Sequence, residues 1–152
     1  MTKSLKTPCI GVCSTVFGDD VCRGCKRFQH EVIQWNSYSD PEKESVLTRL
    51  ETLKTQIMES KVLILDEQVL KQQLESLKII FNQDTNPYCW VFDLFRQASQ
   101  SIGDTSEFGF EILSSQTDNL LVLKKIIEEE LFELSEAHYQ RYFKVEEHFN
   151  AS

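Results

Sequence analysis

The stretch PCIGVCSTVFGDDVCRGCKRF, residues 8–28, decides how this chain begins to fold. It holds four of the five cysteines in the 152-residue chain, in the pattern Cys-x3-Cys-x8-Cys-x2-Cys. So short a segment buries too little apolar surface to offset its chain entropy, whereas a structural zinc ion contributes about 10–16 kcal/mol at neutral pH. The spacing therefore predicts one metal centre, and its predicted ligands are Cys9, Cys13, Cys22 and Cys25.

The residues beside these cysteines suit a negatively charged centre. Four thiolates around Zn²⁺ or a [4Fe–4S]²⁺ core leave the site doubly negative, and nearby cations offset that charge. The predicted offsetting cations are Arg23, Lys26 and Arg27. Gly24 is expected to let the backbone turn close to the metal. Phe28 and Trp35 lie at helical spacing and are expected to pack over the site.

The identity of the metal stays open between zinc and iron–sulfur. All-cysteine sites with Cys-x2-Cys pairs are typical of structural zinc, and the spacing matches neither ferredoxin pattern, so the chemistry alone favours zinc. Disulfides and unliganded thiols are the alternatives to a metal, and both fit poorly with a reducing cytoplasm. A cytoplasmic location is expected because residues 1–6 carry lysines without an apolar signal segment.

The acidic charge lies in one part of the chain. Residues 1–60 carry eight Lys/Arg and eight Asp/Glu, whereas residues 61–152 carry eight and sixteen, which accounts for the net charge of −8. Such a chain is a poor general binder of phosphate backbones, although residues 1–30, with five basic and two acidic side chains, can contact nucleic acid locally. No run approaches the roughly 18 apolar residues of a membrane span. We therefore expect a protein partner, with local nucleic-acid contact as the alternative, and no membrane association.

Apolar periodicity predicts a mainly α-helical chain. The predicted helices cover residues 26–35, 40–60, 66–81, 88–101 and 118–148, and the fourth is expected to be the most buried. The second helix begins either at Asp40 as N-cap or at a capping box formed by Ser39 and Glu42. Its predicted apolar stripe consists of Val46, Leu50, Leu53 and Ile57. Residues 108–112 alternate as a strand does, and 62–65 is the expected partner in one short β-hairpin.

We predict two domains on this basis. Residues 1–60 are expected to form a four-cysteine metal-binding module with a helical hairpin. Residues 61–152 are expected to form an acidic helical bundle whose role the sequence does not indicate.

Three features outside the cysteine segment have functional and structural interpretations. Cys89 lies in an apolar stretch and is predicted to be an inert buried thiol. His138 falls on the apolar stripe of the last helix and is predicted to be a hydrogen-bonded core histidine. Glu130 and Glu133 share a helical face and can hold Mg²⁺, in faint resemblance to the Glu-Glu-x-x-Glu helix of all-helical nucleotide pyrophosphohydrolases. Those enzymes need a second acidic helix downstream, so a solvated acidic face over residues 128–133 is the better interpretation.

A longer pattern extends across the first third of the chain. It comprises Pro8-Cys9-Ile10-Gly11-Val12-Cys13, Cys22-Arg23-Gly24-Cys25-Lys26-Arg27, Glu31, Trp35-Asn36, Ser39, Glu42-Lys43 and Val46. This pattern resembles a family of small bacterial proteins called domain of unknown function 1289, over about residues 8–51. Members are described as predicted iron–sulfur proteins, so the resemblance implies that the four cysteines are ligands and raises iron–sulfur to near parity with zinc. It implies no reaction.

The function expected from these observations is that of a small cytoplasmic metal-binding protein acting as an interaction or adaptor module. It is not expected to be an enzyme. The alternative is an iron–sulfur redox or cluster-carrier protein, and a magnesium-dependent nucleotide hydrolase ranks third.

Overall fold

The computed structural model describes residues 7–8, 14–113 and 119–150. In these ranges the helices are α1 (Gln29–Gln34), α2 (Asp40–Glu59), α3 (Glu67–Ser76), α4 (Pro87–Ala98) and α5 (Leu120–Asn150), and the strands are β1 (Val62–Ile64) and β2 (Phe110–Ile112). Short 3-10 turns lie at Ser14–Phe17, Trp35–Ser37, Ser99–Ser101 and Thr105–Phe108. The predicted mainly α fold with one short antiparallel sheet is confirmed. No helix in the described ranges has the length and apolar character that crossing a membrane requires.

Polar side chains fix where the helices begin. At α2, Glu42 Oε1 accepts from the Ser39 N–H at 3.2 Å and Ser39 Oγ accepts from the Glu42 N–H at 3.4 Å, so the capping box is the start that forms. Asp66, Asn86 and Asn119 cap α3, α4 and α5 in turn, each accepting backbone N–H bonds from the first turn. The first helix departs from the prediction, since α1 begins at Gln29 and not at residue 26, where Lys26 adopts a left-handed conformation.

The end of α3 differs from the prediction. Its periodicity extends to Phe81, but the helix ends at Ser76, because Lys78 adopts a left-handed conformation at φ 57°. The N–H that follows Lys78 then bonds back to the Leu74 carbonyl at 2.9 Å, which closes the last turn. Beyond it, the Gln97 amide bonds both the N–H and the C=O of Ile80, at 2.9 and 2.8 Å. The segment after α3 is thus held to α4 by the Gln97 side chain.

The two strands pair as predicted, although α3 and α4 separate them in sequence. The antiparallel register matches Val62 with Ile112, Leu63 with Glu111 and Ile64 with Phe110. Gly109, at φ 75°, turns the chain into β2, and its carbonyl accepts from the N–H groups of residues 65 and 66. A Cβ at Gly109 would collide with the Asp66 carbonyl oxygen.

The chain divides into two compact units. The first comprises Met1–Leu50 with Leu131–Ser152, and the second comprises Glu51–Glu130. Compactness does not test independent folding, so the domain boundary at residue 60 stays a prediction. In the second unit, six of the twelve α4 residues are buried, as expected for that helix: Cys89, Trp90, Val91, Phe92, Leu94 and Phe95.

The apolar stripe of α2 follows the prediction with one exchange. Val46, Leu50 and Leu53 are buried, whereas Met58 is fully buried in place of Ile57, which is half-buried. In the first unit, Val46 and Leu50 form a core cluster with Trp35.

An ion pair joins α1 to α2 inside the first unit. Glu31 is 5% exposed, and its two oxygens accept from Arg49 Nη1 at 2.7 Å and Nη2 at 2.6 Å. Glu31 also accepts from the Phe28 N–H at 2.8 Å, and the Arg49 guanidinium lies 4.0 Å from the centre of the Phe28 ring. This bidentate pair therefore fixes the residue at which the cysteine segment enters α1.

Replacing Glu31 tests this ion pair. Glu31→Ala leaves the Arg49 charge without its partner, so the free energy of unfolding should fall by about 3 kcal/mol. Urea unfolding followed by Trp35 fluorescence in a Trp90→Phe background measures it. The matched control is Asp19→Ala, which removes the exposed Asp19–Arg23 pair at 3.9 Å and should cost less than about 0.5 kcal/mol. Equal losses would contradict the role of the pair.

Gly109→Ala tests the strand entry in the second unit. The positive φ and the collision with a backbone oxygen should together lower the free energy of unfolding by about 2–4 kcal/mol. Gly103→Ala is the control, because a Cβ there meets no atom within 4 Å. Thermal unfolding of both variants measures the difference, and matching midpoints would show that the turn is not constrained.

Candidate metal centre

Residues 21–28, which carry the last two cysteines of the segment, form a tight antiparallel turn. Val21 and Phe28 form its base as an isolated antiparallel bridge. Inside it, the Cys22 N–H donates to the carbonyl of residue 27 at 2.9 Å, and the Lys26 N–H donates to the Cys22 carbonyl at 2.8 Å. Lys26 sits in the left-handed region at φ 66°, which lets the chain reverse directly after Cys25. The turn thus carries Cys22 and Cys25 together, and both are buried.

Backbone N–H groups surround the sulfur of Cys22. Burial alone raises the pKa of this thiol, but hydrogen bonds from the backbone of Cys25, Ser14 and Gly24 outweigh it and hold the pKa below its usual value. Donors converging on one sulfur stabilise the thiolate, which is the form that binds a metal. Gly24 contributes one of these donors, in addition to its predicted place in the turn.

The sulfur of Cys25 has a buried cation as its neighbour. Burial, the larger effect, raises the pKa of the Cys25 thiol, while the Arg27 guanidinium works in the opposite direction. Arg27 Nε donates to Cys25 Sγ at 3.2 Å, and its guanidinium carbon lies 4.9 Å from the centre of the Trp35 ring. The Arg27 residue is only 3% exposed. No carboxylate among the described residues forms an ion pair with it.

The other two basic residues of the segment have different surroundings. The Lys26 ammonium is buried and bonds to the backbone carbonyls of Arg23 and Gly24. The Arg23 side chain is 63% exposed, lies 3.9 Å from Asp19 and covers the Phe132 ring at 4.2 Å. Among these predicted offsetting cations, Arg27 contacts a cysteine sulfur, that of Cys25.

Aromatic residues, among them the predicted Phe28 and Trp35, pack around the turn. Trp35 covers Arg27, and Phe28 is buried beneath Arg49. The edge of Phe28 also meets the Tyr139 ring on α5, with ring centres 5.2 Å apart. The contribution of α5 to this environment was missed, because no local pattern links residues separated by more than a hundred positions.

The donor set fits a thiolate-bound metal. Several N–H donors stabilise negative charge on the sulfur of Cys22, and the sulfur of Cys25 accepts a hydrogen bond from a buried guanidinium. Cys9 and Cys13, the other two predicted ligands, lie outside the described residues. Among the described residues, no three of the His, Cys, Asp and Glu side chains come together as a metal site.

Three further candidates lie outside the turn: Cys89, His138 and the acidic run over residues 128–133. Cys89 is buried and its Sγ lies 3.4 Å from the Thr55 hydroxyl; burial, the main cause, raises its thiol pKa, in agreement with an inert thiol. The prediction that His138 belongs to the core was wrong, since it is half-buried on the wall of a cavity of about 350 Å³. In the acidic run, Glu130 forms an ion pair with the buried Lys61 at 2.8 Å, and Glu133 is exposed.

Comparison with known proteins adds one finding. A family model described as "Protein of unknown function (DUF1289)" matches residues 7–54. No curated protein matches the chain, and no solved structure matches it. The matched range contains the cysteine segment, α1 and most of α2. The resemblance that the sequence suggested for the first third of the chain is therefore confirmed: residues 7–54 are similar to the DUF1289 family, which is described as of unknown function.

Proposed function

We propose that this protein is a small cytoplasmic metal-binding adaptor, in which Cys9, Cys13, Cys22 and Cys25 hold one metal centre. The observation that carries the proposal is the contact between the buried Arg27 guanidinium and the sulfur of Cys25 at 3.2 Å. A buried cation needs a counter-charge, because leaving a charge unpaired away from water is costly. A neutral thiol does not supply that charge, whereas a metal-bound thiolate does.

The metal supplies the cross-link that so small a segment needs in order to hold its shape. The turn at Cys22 and Cys25 provides two sulfurs on one side of the chain, which is the arrangement that short Cys-x2-Cys loops give in metal sites. A reducing compartment keeps such thiols available as ligands. In this proposal the centre is structural, and zinc and iron–sulfur both satisfy it.

The adaptor role is supported by an exposed apolar side chain beside the module. Ile33 on α1 is 73% exposed, although it lies within two residues of the buried Glu31 and Trp35. Residues 1–50 are almost balanced in charge, with seven Lys/Arg and six Asp/Glu. A surface with little net charge and an exposed isoleucine suits a protein partner better than a phosphate backbone.

A second function, iron–sulfur redox or cluster transfer, is favoured by the hydrogen bonds to the sulfur of Cys22. Hydrogen bonds to ligand sulfurs are one of the means by which proteins set the reduction potential of an iron–sulfur cluster. Such a protein would be brown when purified without oxygen, and its charge-transfer absorption would bleach on reduction.

Anaerobic purification with metal analysis tests the proposal. Wild type should carry one centre per chain, either one zinc ion in a colourless protein or iron with equimolar sulfide in a brown one. Cys22→Ser should lose most of the metal because one of four thiolates is removed. Cys89→Ser is the matched control, since Cys89 is buried in the second unit, and it should keep the metal. Metal-free wild type, or equal metal in both variants, would reject the centre.

Partner capture tests the adaptor role separately. Three proteins are immobilised and exposed to lysate of the cells that naturally make this protein: wild type, the double variant Cys22→Ser/Cys25→Ser, and Ile33→Glu. We expect at least one protein retained by wild type at about tenfold higher yield than by either variant, the size of effect that loss of a binding hot spot produces. Equal recovery by all three would reject the adaptor role while leaving the metal centre in place.

A further inference from the structure

Arg27 lies between a sulfur and an aromatic ring. Its Nε donates to Cys25 Sγ at 3.2 Å, and its guanidinium lies 4.9 Å from the centre of the Trp35 ring. Trp35 is 5% exposed and belongs to the core cluster with Val46 and Leu50 of α2. The orientation of the guanidinium is therefore set by a residue that the helical core holds in place.

From this arrangement we infer that Arg27 and Trp35 form a positioning pair for the metal centre. Arg27 donates a hydrogen bond to the sulfur of Cys25 and so sets the orientation of that sulfur toward the metal, and Trp35 fixes Arg27 for that task. The inference rests on the proposed metal centre. It goes further, because it assigns the orienting of the Cys25 sulfur to Arg27 and adds Trp35, ten residues after Cys25. Partners of metal ligands of this kind change metal affinity by roughly 10–100-fold when they are removed.

The task requires an arginine specifically. A guanidinium is planar, so it can stack on an indole ring with its face while an N–H at its edge points to a sulfur. A lysine ammonium is a point charge on a flexible chain and does not combine the two contacts in one fixed geometry. Charge alone at position 27 is therefore insufficient.

Arg23 provides the matched comparison within the same turn. It carries the same charge and lies two residues before Cys25, as Arg27 lies two residues after it. Its side chain is 63% exposed and faces Asp19 and Phe132. Since water screens an exposed charge, removing Arg23 should change metal affinity by less than about twofold.

Co²⁺ is the probe, because its thiolate complexes absorb strongly and report directly on the sulfur. The full-length protein is titrated with Co²⁺ in competition with a chelator, as wild type, Arg27→Met, Arg27→Lys, Arg23→Met, Trp35→Phe and Trp35→Leu. Arg27→Met and Arg27→Lys should both lose about 10–100-fold in affinity, and their sulfur-to-cobalt charge-transfer band should move to longer wavelength. The band moves because a sulfur that has lost its hydrogen bond gives up an electron more easily.

The remaining variants test the pair. Trp35→Phe keeps an aromatic face and should retain the wild-type band position, whereas Trp35→Leu should reproduce the shift seen in Arg27→Met. Far-UV circular dichroism checks that each variant folds. If Arg27→Met does not fold, the comparison of Arg27→Lys with Arg23→Met decides. Wild-type uptake of Co²⁺ with unshifted bands in both Arg27 variants would overturn this inference alone. Wild type that takes up no metal would overturn the proposed centre and this inference together.

Discussion

The contact between the Arg27 guanidinium and the sulfur of Cys25 is the interaction on which this structure depends most. The Arg27 residue is only 3% exposed, so its positive charge lies buried in a turn that holds two cysteines. A cation in such a position must find negative charge nearby, and the described residues offer it a cysteine sulfur and the face of Trp35. The chemistry of the turn and the packing of the helices are thus linked through one side chain.

The same logic explains why the turn needs the helices around it. Its base at Phe28 is held on one side by Glu31 and Arg49, and on another by Tyr139 from α5. A segment of this length has little core of its own, so it relies on its neighbours for stability, and the proposed metal centre would add a cross-link. The helical packing therefore helps to fix the positions of the two buried sulfurs.

Much of this was predictable where local signals dominate. The capping box at Ser39 and the most buried helix followed from short-range patterns, and the strand pair followed from alternation and β-branched residues. The end of α3 was not predictable, because it depends on Lys78 adopting a left-handed conformation that lysine rarely favours. The place of His138 on a cavity wall was missed for a different reason, since periodicity identifies a helical face but not what covers it.

For the candidate site, the sequence predicted the cysteines, the nearby cations and the aromatic residues, but it could not rank the cations. Arg23, Lys26 and Arg27 carry the same charge, and all lie within two residues of Cys25. Only three-dimensional placement separates an exposed arginine, a lysine bound to carbonyls and an arginine that contacts sulfur.

The packing of Tyr139 on Phe28 has a practical consequence for work with fragments. A fragment cut to the family-matched range, residues 7–54, would leave one edge of that ring uncovered. Anyone isolating the cysteine module for spectroscopy should therefore graft a substitute for the missing piece of α5 or supply it as a separate peptide.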